Sequence, residues 1–173
     1  YAADEGAAGL SLAVGAMSTS EMTAAAARYA WDNGVVISAV AGDENGYHHN
    51  FPAVLPEALY MRSVRYDSGG SSGPVYSYLN TQNCNNFGAR MDLVAPSRVC
   101  ATGAAAAALG VVGLVQAAAR AQLGAPLHAG EVVQLLFQTA EDVWLTESER
   151  ETSHAYPSNE GWDPFTGYGR MDA

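Results

Sequence analysis

The sequence predicts an α/β protein with a mostly parallel sheet flanked by helices. Three observations carry that prediction. Val35–Ala41 is a continuous apolar run of strand length, rich in β-branched residues, the pattern of a parallel strand buried on both faces. Thr102–Leu123 is a long helical stretch made almost wholly of Ala, Val, Leu and Gly, apolar all round and suited to a core. The order strand, helix, strand, loop, strand, strand, helix, helix is that of strands joined by crossover connections.

In chain order, residues 9–16 read as a short buried strand. Ser18-Thr19-Ser20 supplies an N-cap, Glu21 an acidic first turn, and Met22–Asp32 an Ala-rich helix ended at Asn33-Gly34. Val35–Ala41 follows as the second strand. Residues 42–56 are polar and loop-like. Leu59–Tyr66 alternates as a strand, and Asp67–Gly73 is a Gly/Ser turn. Met91–Val94 is a short strand, and Thr102–Leu123 is the central helix, ended by Gly124. His128–Val143 is a second helix with a broad apolar face at Val132, Val133, Leu135, Leu136 and Phe137. The aromatic, Gly- and Pro-containing tail over 156–168 has no period. Trp144, Tyr156, Trp162, Phe165 and Tyr168 are expected to pack as a cap over the C-terminal helices.

A chain of 173 residues can bury a large core, and 49% hydrophobic residues separate it from disordered sequences. The net charge of −10 disfavours nucleic acid and anionic membrane surfaces as partners, since both carry the same sign. The apolar run Ala104–Val115 is shorter than the roughly twenty residues a bilayer span needs, so a core helix is expected there.

Cys84 and Cys100 flank the strand at 92–94. In an oxidising compartment they would close a loop of about sixteen residues, worth roughly 3 kcal/mol in the chain-entropy model. The alternative is a pair of buried free thiols. Asp43, His48 and His49 share one loop and are the residues that would hold zinc, although loop packing is the simpler reading. No cofactor is expected. Calcium is the one alternative, with Glu147, Glu149 and Glu151 before His154, and Asn159 and Asp163 as further oxygen donors, against the plainer reading of a solvated loop.

Five blocks, in one order, resemble the subtilisin-like (S8) serine peptidases. Gly9-Leu-Ser-Leu-Ala13 resembles the Asn-Met-Ser-Leu-Gly strand that lines the substrate cleft. Ala30-Trp-Asp-Asn-Gly-Val-Val-Ile-Ser-Ala-Val-Ala-Gly-Asp43 resembles the helix and strand leading to Ala-Gly-Asn. Asn50-Phe-Pro-Ala-Val-Leu-Pro56 resembles the Tyr-Pro-Ala loop. Asn86-Phe-Gly-Ala-Arg-Met-Asp-Leu-Val-Ala-Pro96 resembles the Asn-Tyr-Gly-x-x-Val-Asp-Val-Val-Ala-Pro block. Gly167-Tyr-Gly-Arg-Met-Asp-Ala173 resembles the Gly-x-Gly-Arg-Val-Asp-Ala end of the domain. The resemblance implies that residues 1–173 are the C-terminal portion of one subtilisin-like domain, secreted or periplasmic. The catalytic Asp and His would lie upstream, in a separate N-terminal fragment or a continuous preceding portion.

The resemblance also assigns roles. Gly103 falls where Gly-Thr-Ser-Met-Ala carries the nucleophile, and glycine has no atom with which to attack a carbonyl. Thr102 does not substitute, because one residue along a helix turns a side chain by about 100°. Asp43 falls at the oxyanion Asn, where losing a donor costs roughly 3–4 kcal/mol. Ala107-Ala108 replaces the usual Pro-His, and the hairpin between Ala95-Pro96 and Thr102 is mostly gone. Ser11, Leu12, Ala13, Val40, Ala41 and Gly42 would lie beside an extended peptide and offer it backbone hydrogen bonds. The expectation is a homologue without peptidase activity that binds a peptide or protein segment or acts as a scaffold. The alternatives are an active serine endopeptidase, captured as an engineered or processed fragment, and a purely structural module.

Overall fold

The computed structural model describes residues 1–64, 67–68, 76–77, 84–97, 99–144 and 158–172. Its elements are β1 (Gly9–Leu12), α1 (Glu21–Asp32), β2 (Val36–Val40), β3 (Ala58–Val64), β4 (Asp67–Ser68), β5 (Tyr76–Ser77), β6 (Leu93–Pro96), α2 (Ala101–Leu123) and α3 (Ala129–Thr139). β1, β2, β3 and β6 form one sheet in the order β1-β2-β3-β6, and every pairing is parallel. β4 and β5 pair antiparallel as a separate ribbon, where the sequence predicts only a turn over 67–73.

The sheet forms where the sequence concentrates apolar β-formers. Val36–Val40 and Ala58–Val64 are buried along their whole length, as strands covered on both faces must be. Alternation assigns the two faces. Ser38 of β2 donates its hydroxyl proton to the Ala105 carbonyl of α2 at 2.9 Å, so α2 covers that face. Ile37 points the other way and shares a pocket with Ala27 and Ala30 of α1. α3 lies beside α1, with Trp31 edge-on to His128. Three layers result: α2, the sheet, and the α1–α3 pair.

The helix signals act locally. Ser20 is the N-cap of α1, and its hydroxyl accepts from Thr23 N at 3.3 Å. α2 ends at Gly124 in the left-handed conformation. α2 meets the sheet through Ala104, Ala105, Ala108 and Val112, all fully buried, and its small side chains bring the helix close to the strands. Gly110 and Gly113 lie on its other side with nothing within 4 Å of where a Cβ would stand. Counted from Ala101, α2 has 23 residues. It is thus longer than the apolar run the sequence suggests, and by length and composition enough to cross a bilayer. Here it packs on the strands through one face only and is 33% buried over its apolar stretch, so it is not the all-round core helix expected.

β1, α3 and β6 depart most from expectation. β1 ends at Leu12, not residue 16. Beyond it the chain leaves the sheet, and Ala16 forms a single antiparallel bridge with Phe51. β1 is also only half-buried, because it is the sheet's edge. α3 ends at Thr139 instead of Val143. Glu141 is captured there by a two-way backbone pairing with Arg170, and their side chains also pair. β6 runs over 93–96, displaced by two residues, since Asp92 turns its carboxylate onto Tyr60 N at 2.7 Å. His128, read from sequence as the start of a helix, is the N-cap of α3 in a reciprocal capping box with Glu131.

The tail caps the C-terminal helices only in part: Tyr168 reaches α3, while Phe165 and Trp162 pack on the 87–91 stretch. Phe165 lies against Phe87, Tyr168 stacks on Phe137, and Trp162 donates its ring N–H to the Met91 carbonyl at 2.9 Å. Trp144 remains 40% exposed, and Tyr156 lies outside the described residues.

Candidate functional site

In a parallel sheet the carboxyl ends of the strands, with the loops that leave them, form the natural binding edge. After β2 the chain passes Ala41 and bends at Gly42, whose φ of +101° suits glycine. A Cβ there would also collide with the side-chain amides of Asn50 and Asn86. Asp43 follows, exposed, and its Oδ1 accepts a hydrogen bond from the Ala101 backbone N–H at 3.1 Å. The first turn of a helix carries unsatisfied N–H groups and partial positive charge, so a carboxylate is a fitting partner. The structure therefore brings Asp43 to the start of α2, two residues before Gly103.

The space beside Gly103 is taken. A Cβ built on it would lie well inside contact distance of Ser97 Oγ and 2.7 Å from Val99 Cγ2. Ser97 is held in place. Its hydroxyl donates to Val99 O at 2.6 Å and accepts from Val99 N at 3.1 Å. The sequence signal for this filling is the shortened link between Pro96 and Thr102, which leaves the chain no room to loop away from the start of α2. Sequence reasoning noted the short link but missed its consequence.

The opposite wall is built on two buried asparagines that sequence reasoning also missed. Asn86 donates its side-chain amide to Ala41 O at 3.1 Å and to Glu44 Oε2 at 2.5 Å. Its Oδ1 accepts from Gly46 N. Asn50 reaches the same Glu44 carboxylate at 3.3 Å. Burial pushes the Glu44 carboxyl up, but the hydrogen bonds from Asn86, its own backbone and Asn50, with the charge of His48, outweigh it and hold the carboxyl below its ordinary value.

The two histidines diverge. His48 Nε2 stands 3.7 Å from Glu44, while His49 Nδ1 faces the Tyr60 hydroxyl at 3.3 Å. Burial, then the charges of Arg90 and His48, push the His49 pKa down, and burial pushes that of Tyr60 up. Asp43, His48 and His49 do not assemble as a zinc set, and among the described residues no group of three metal-ligating side chains converges. Asp163 is fully engaged in its own turn. Its oxygens accept from Asn159 N, Phe165 N, Thr166 N and Thr166 Oγ1. Glu147, Glu149, Glu151 and His154 lie outside the described residues.

The six expected peptide-contacting residues separate into two groups. Ser11 and Ala13 are exposed and Leu12 half-buried at the free edge of the sheet. Val40, Ala41 and Gly42 are buried. Ala41 N already donates to Met61 O, Ala41 O accepts from Asn86 and Tyr60, and Gly42 O accepts from Asn86 N. Those groups serve the fold, so β1 offers the freer backbone. Beside it, Leu12, Val14, Phe51 and Pro52 line a mainly apolar pocket of about 360 Å³.

Cys84 and Cys100 are joined in a disulfide with a Cα separation of 5.3 Å, and Cys100 is the N-cap of α2. Behind the site, Arg90 spans three acceptors: Asp92 Oδ1 at 2.5 Å, Leu55 O at 3.1 Å and Ala58 O at 2.8 Å. Burial raises the Asp92 carboxyl and Arg90 opposes that rise.

No family model matches the chain. Among curated proteins, thermitase of Thermoactinomyces vulgaris is 34% identical over 76 residues, 44% of this chain and 27% of thermitase. Among solved structures, the prenylagaramide maturation protease PagA superposes with a TM-score of 0.71 at 16% identity, covering 99% of this chain and 61% of that one. Sphericase gives 0.68 at 19%, covering 98% and 60%. The PatG macrocyclase in complex with peptide gives 0.69 at 19%, covering 99% and 50%. At these identities the likeness is one of fold. The chain spans about three fifths or less of the length of these structures, and its match spans about a quarter of thermitase.

Proposed function

We propose, for a chain with the fold of the C-terminal part of a subtilisin-like protease, that it binds a peptide or protein segment in the cleft without cleaving it. The observation that carries this reading is the filled space at Gly103. The position lacks a nucleophilic side chain, and Ser97 and Val99 occupy the volume one would need. Asp43 supports it further, because its carboxylate, an acceptor held on Ala101 N, stands where the resemblance calls for an oxyanion donor. The free edge of β1 and the apolar pocket beside it support peptide binding: an extended segment gains main-chain hydrogen bonds there and seats a side chain in the pocket. That one structural neighbour was solved with a peptide is consistent with this use of the fold.

The same reading gives the chain a partner for its unprotected surfaces. β1 carries neither charge nor proline along its free edge, and Leu114 and Leu123 of α2 are exposed. A complementary N-terminal portion, in the same polypeptide or separate, would cover these side chains, the β1 edge being left to the bound segment. The disulfide favours an oxidising compartment, hence secretion or the periplasm.

An active-site fluorophosphonate tests the absence of a nucleophile. No covalent label is expected on the full-length protein. Stoichiometric labelling would replace the reading with that of an active serine endopeptidase.

A further inference from the structure

The start of α2 is tied to the opposite wall of the cleft twice. One tie is the hydrogen bond from Ala101 N to Asp43. The other is the disulfide. Cys100 makes no side-chain capping bond at the helix start, because its sulfur is joined to Cys84. Cys84 is exposed and directly precedes Asn85 and Asn86, both fully buried. Asn85 Oδ1 accepts from Ser63 N at 3.1 Å, which anchors this stretch to β3. Asn86 holds Ala41, Gly42 and Glu44. The covalent bridge therefore runs from an anchored wall to the end of the segment that sets Ser97 and Val99 over Gly103.

We propose that Cys84–Cys100 is a redox latch on the peptide cleft. Oxidised, it keeps the Ser97 and Val99 side chains seated over Gly103. Reduced by a dithiol, it frees the first turn of α2 and admits peptide more readily. The inference rests on the reading that this cleft binds peptide.

The chemistry balances as thiol–disulfide exchange. A thiolate of the donor attacks the sulfur of Cys84, an exposed residue, a mixed disulfide forms, and Cys100 leaves as a thiolate that takes up a proton. The donor's second thiol then displaces the Cys84 sulfur, which is protonated in turn. Two electrons and two protons pass to the cysteines, and the donor departs as its own disulfide. The contacts beyond the helix start do not run through the bridge. Asn85 and Asn86 keep their hydrogen bonds, and Ala105, Ala108 and Val112 stay packed on the sheet. Release is thus confined to the helix start.

The test compares the oxidised protein, the protein reduced with dithiothreitol, and the Cys84→Ser/Cys100→Ser double variant. Hydrogen exchange at amides 101–104 should speed up by about tenfold or more in the two unbridged forms, with Val36–Val40 unchanged. A pool of N-acetylated tetrapeptide amides should bind both unbridged forms about tenfold more tightly than the oxidised one. The oxidised Ser97→Gly/Val99→Gly variant should match that gain without reductant. Equal exchange and equal affinity in all forms would overturn the latch while leaving peptide binding intact. Faster exchange throughout β2 would overturn it as well, because the bridge would then be holding the whole fold. Local release at 101–104 with no peptide bound in any form would uphold the latch as a conformational device and defeat the peptide-binding reading.

Discussion

Asp43 Oδ1 accepts the backbone N–H of Ala101 at 3.1 Å, so the loop leaving β2 closes directly onto the first turn of α2. A carboxylate at this point acts as a helix cap supplied from 58 residues away in sequence. Asp43→Ala should lower stability by about 1 kcal/mol, within the range for lost N-caps, while Asp43→Asn keeps an acceptor and should lose less. Urea unfolding of the three proteins separates these outcomes.

Restoring a side chain at position 103 should harm the fold before it helps any chemistry. Gly103→Ser brings its Cβ against the ends of the Ser97 and Val99 side chains, and because Val99 is exposed and can turn aside, the cost should fall at the low end of the about 1–3 kcal/mol expected for overpacking. Adding Ser97→Gly should recover a good part of that loss. A double variant no more stable than Gly103→Ser would show that Ser97 is not what fills the space. Neither variant should hydrolyse a peptide ester above background.

Arg90 joins Asp92 to the carbonyls of Leu55 and Ala58. Arg90→Met would strand the Asp92 carboxyl, which is 10% exposed, without its cation. Breaking such a pair costs about 3–5 kcal/mol. Combining it with Asp92→Asn should recover part of the loss, because an amide oxygen can still accept from Tyr60 N. Thermal unfolding of the single and double variants measures the coupling.

His49 gives the fold a pH dependence of known sign. Its pKa lies below the ordinary 6.5, pushed down by burial and then by Arg90 and His48. The unfolded chain binds that proton more readily, so the stabilising contribution is complete above pH 6.5 and is lost as pH falls through the window beneath it. His49→Phe should flatten the stability profile between pH 6.5 and the folded value. An unchanged slope would assign the effect to another group.

The parts of the fold legible in sequence are those whose signals are local. The run 35–41 marked a doubly buried strand, Ser20 marked the start of α1, and Gly124 marked the end of α2. Glu141 was not legible in this way. The apolar pattern of α3 continues past it, and only the distant Arg170 draws the backbone out of the helix. The site divides along the same line. Gly103 and Asp43 could be picked out by their neighbours in sequence, while for Cys84 and Cys100 the sequence left a bridge and a pair of free thiols both open. The clamp of Asn50 and Asn86 on Glu44 could not, because each member is unremarkable until the loops meet. Ser97 lay between. Its short tether to Thr102 was visible, but the side chain it delivers to Gly103 was not.

Gly110 and Gly113 leave a bare notch on the side of α2 turned away from the sheet. Each glycine weakens a helix by about 0.8–1.0 kcal/mol relative to alanine, and nothing within the described residues compensates for it. Such a thin place lets a second backbone approach almost to touching distance, nearer than any side chain larger than hydrogen would permit. An alanine at either position would stiffen the isolated chain and, by the same methyl group, hold a neighbour off.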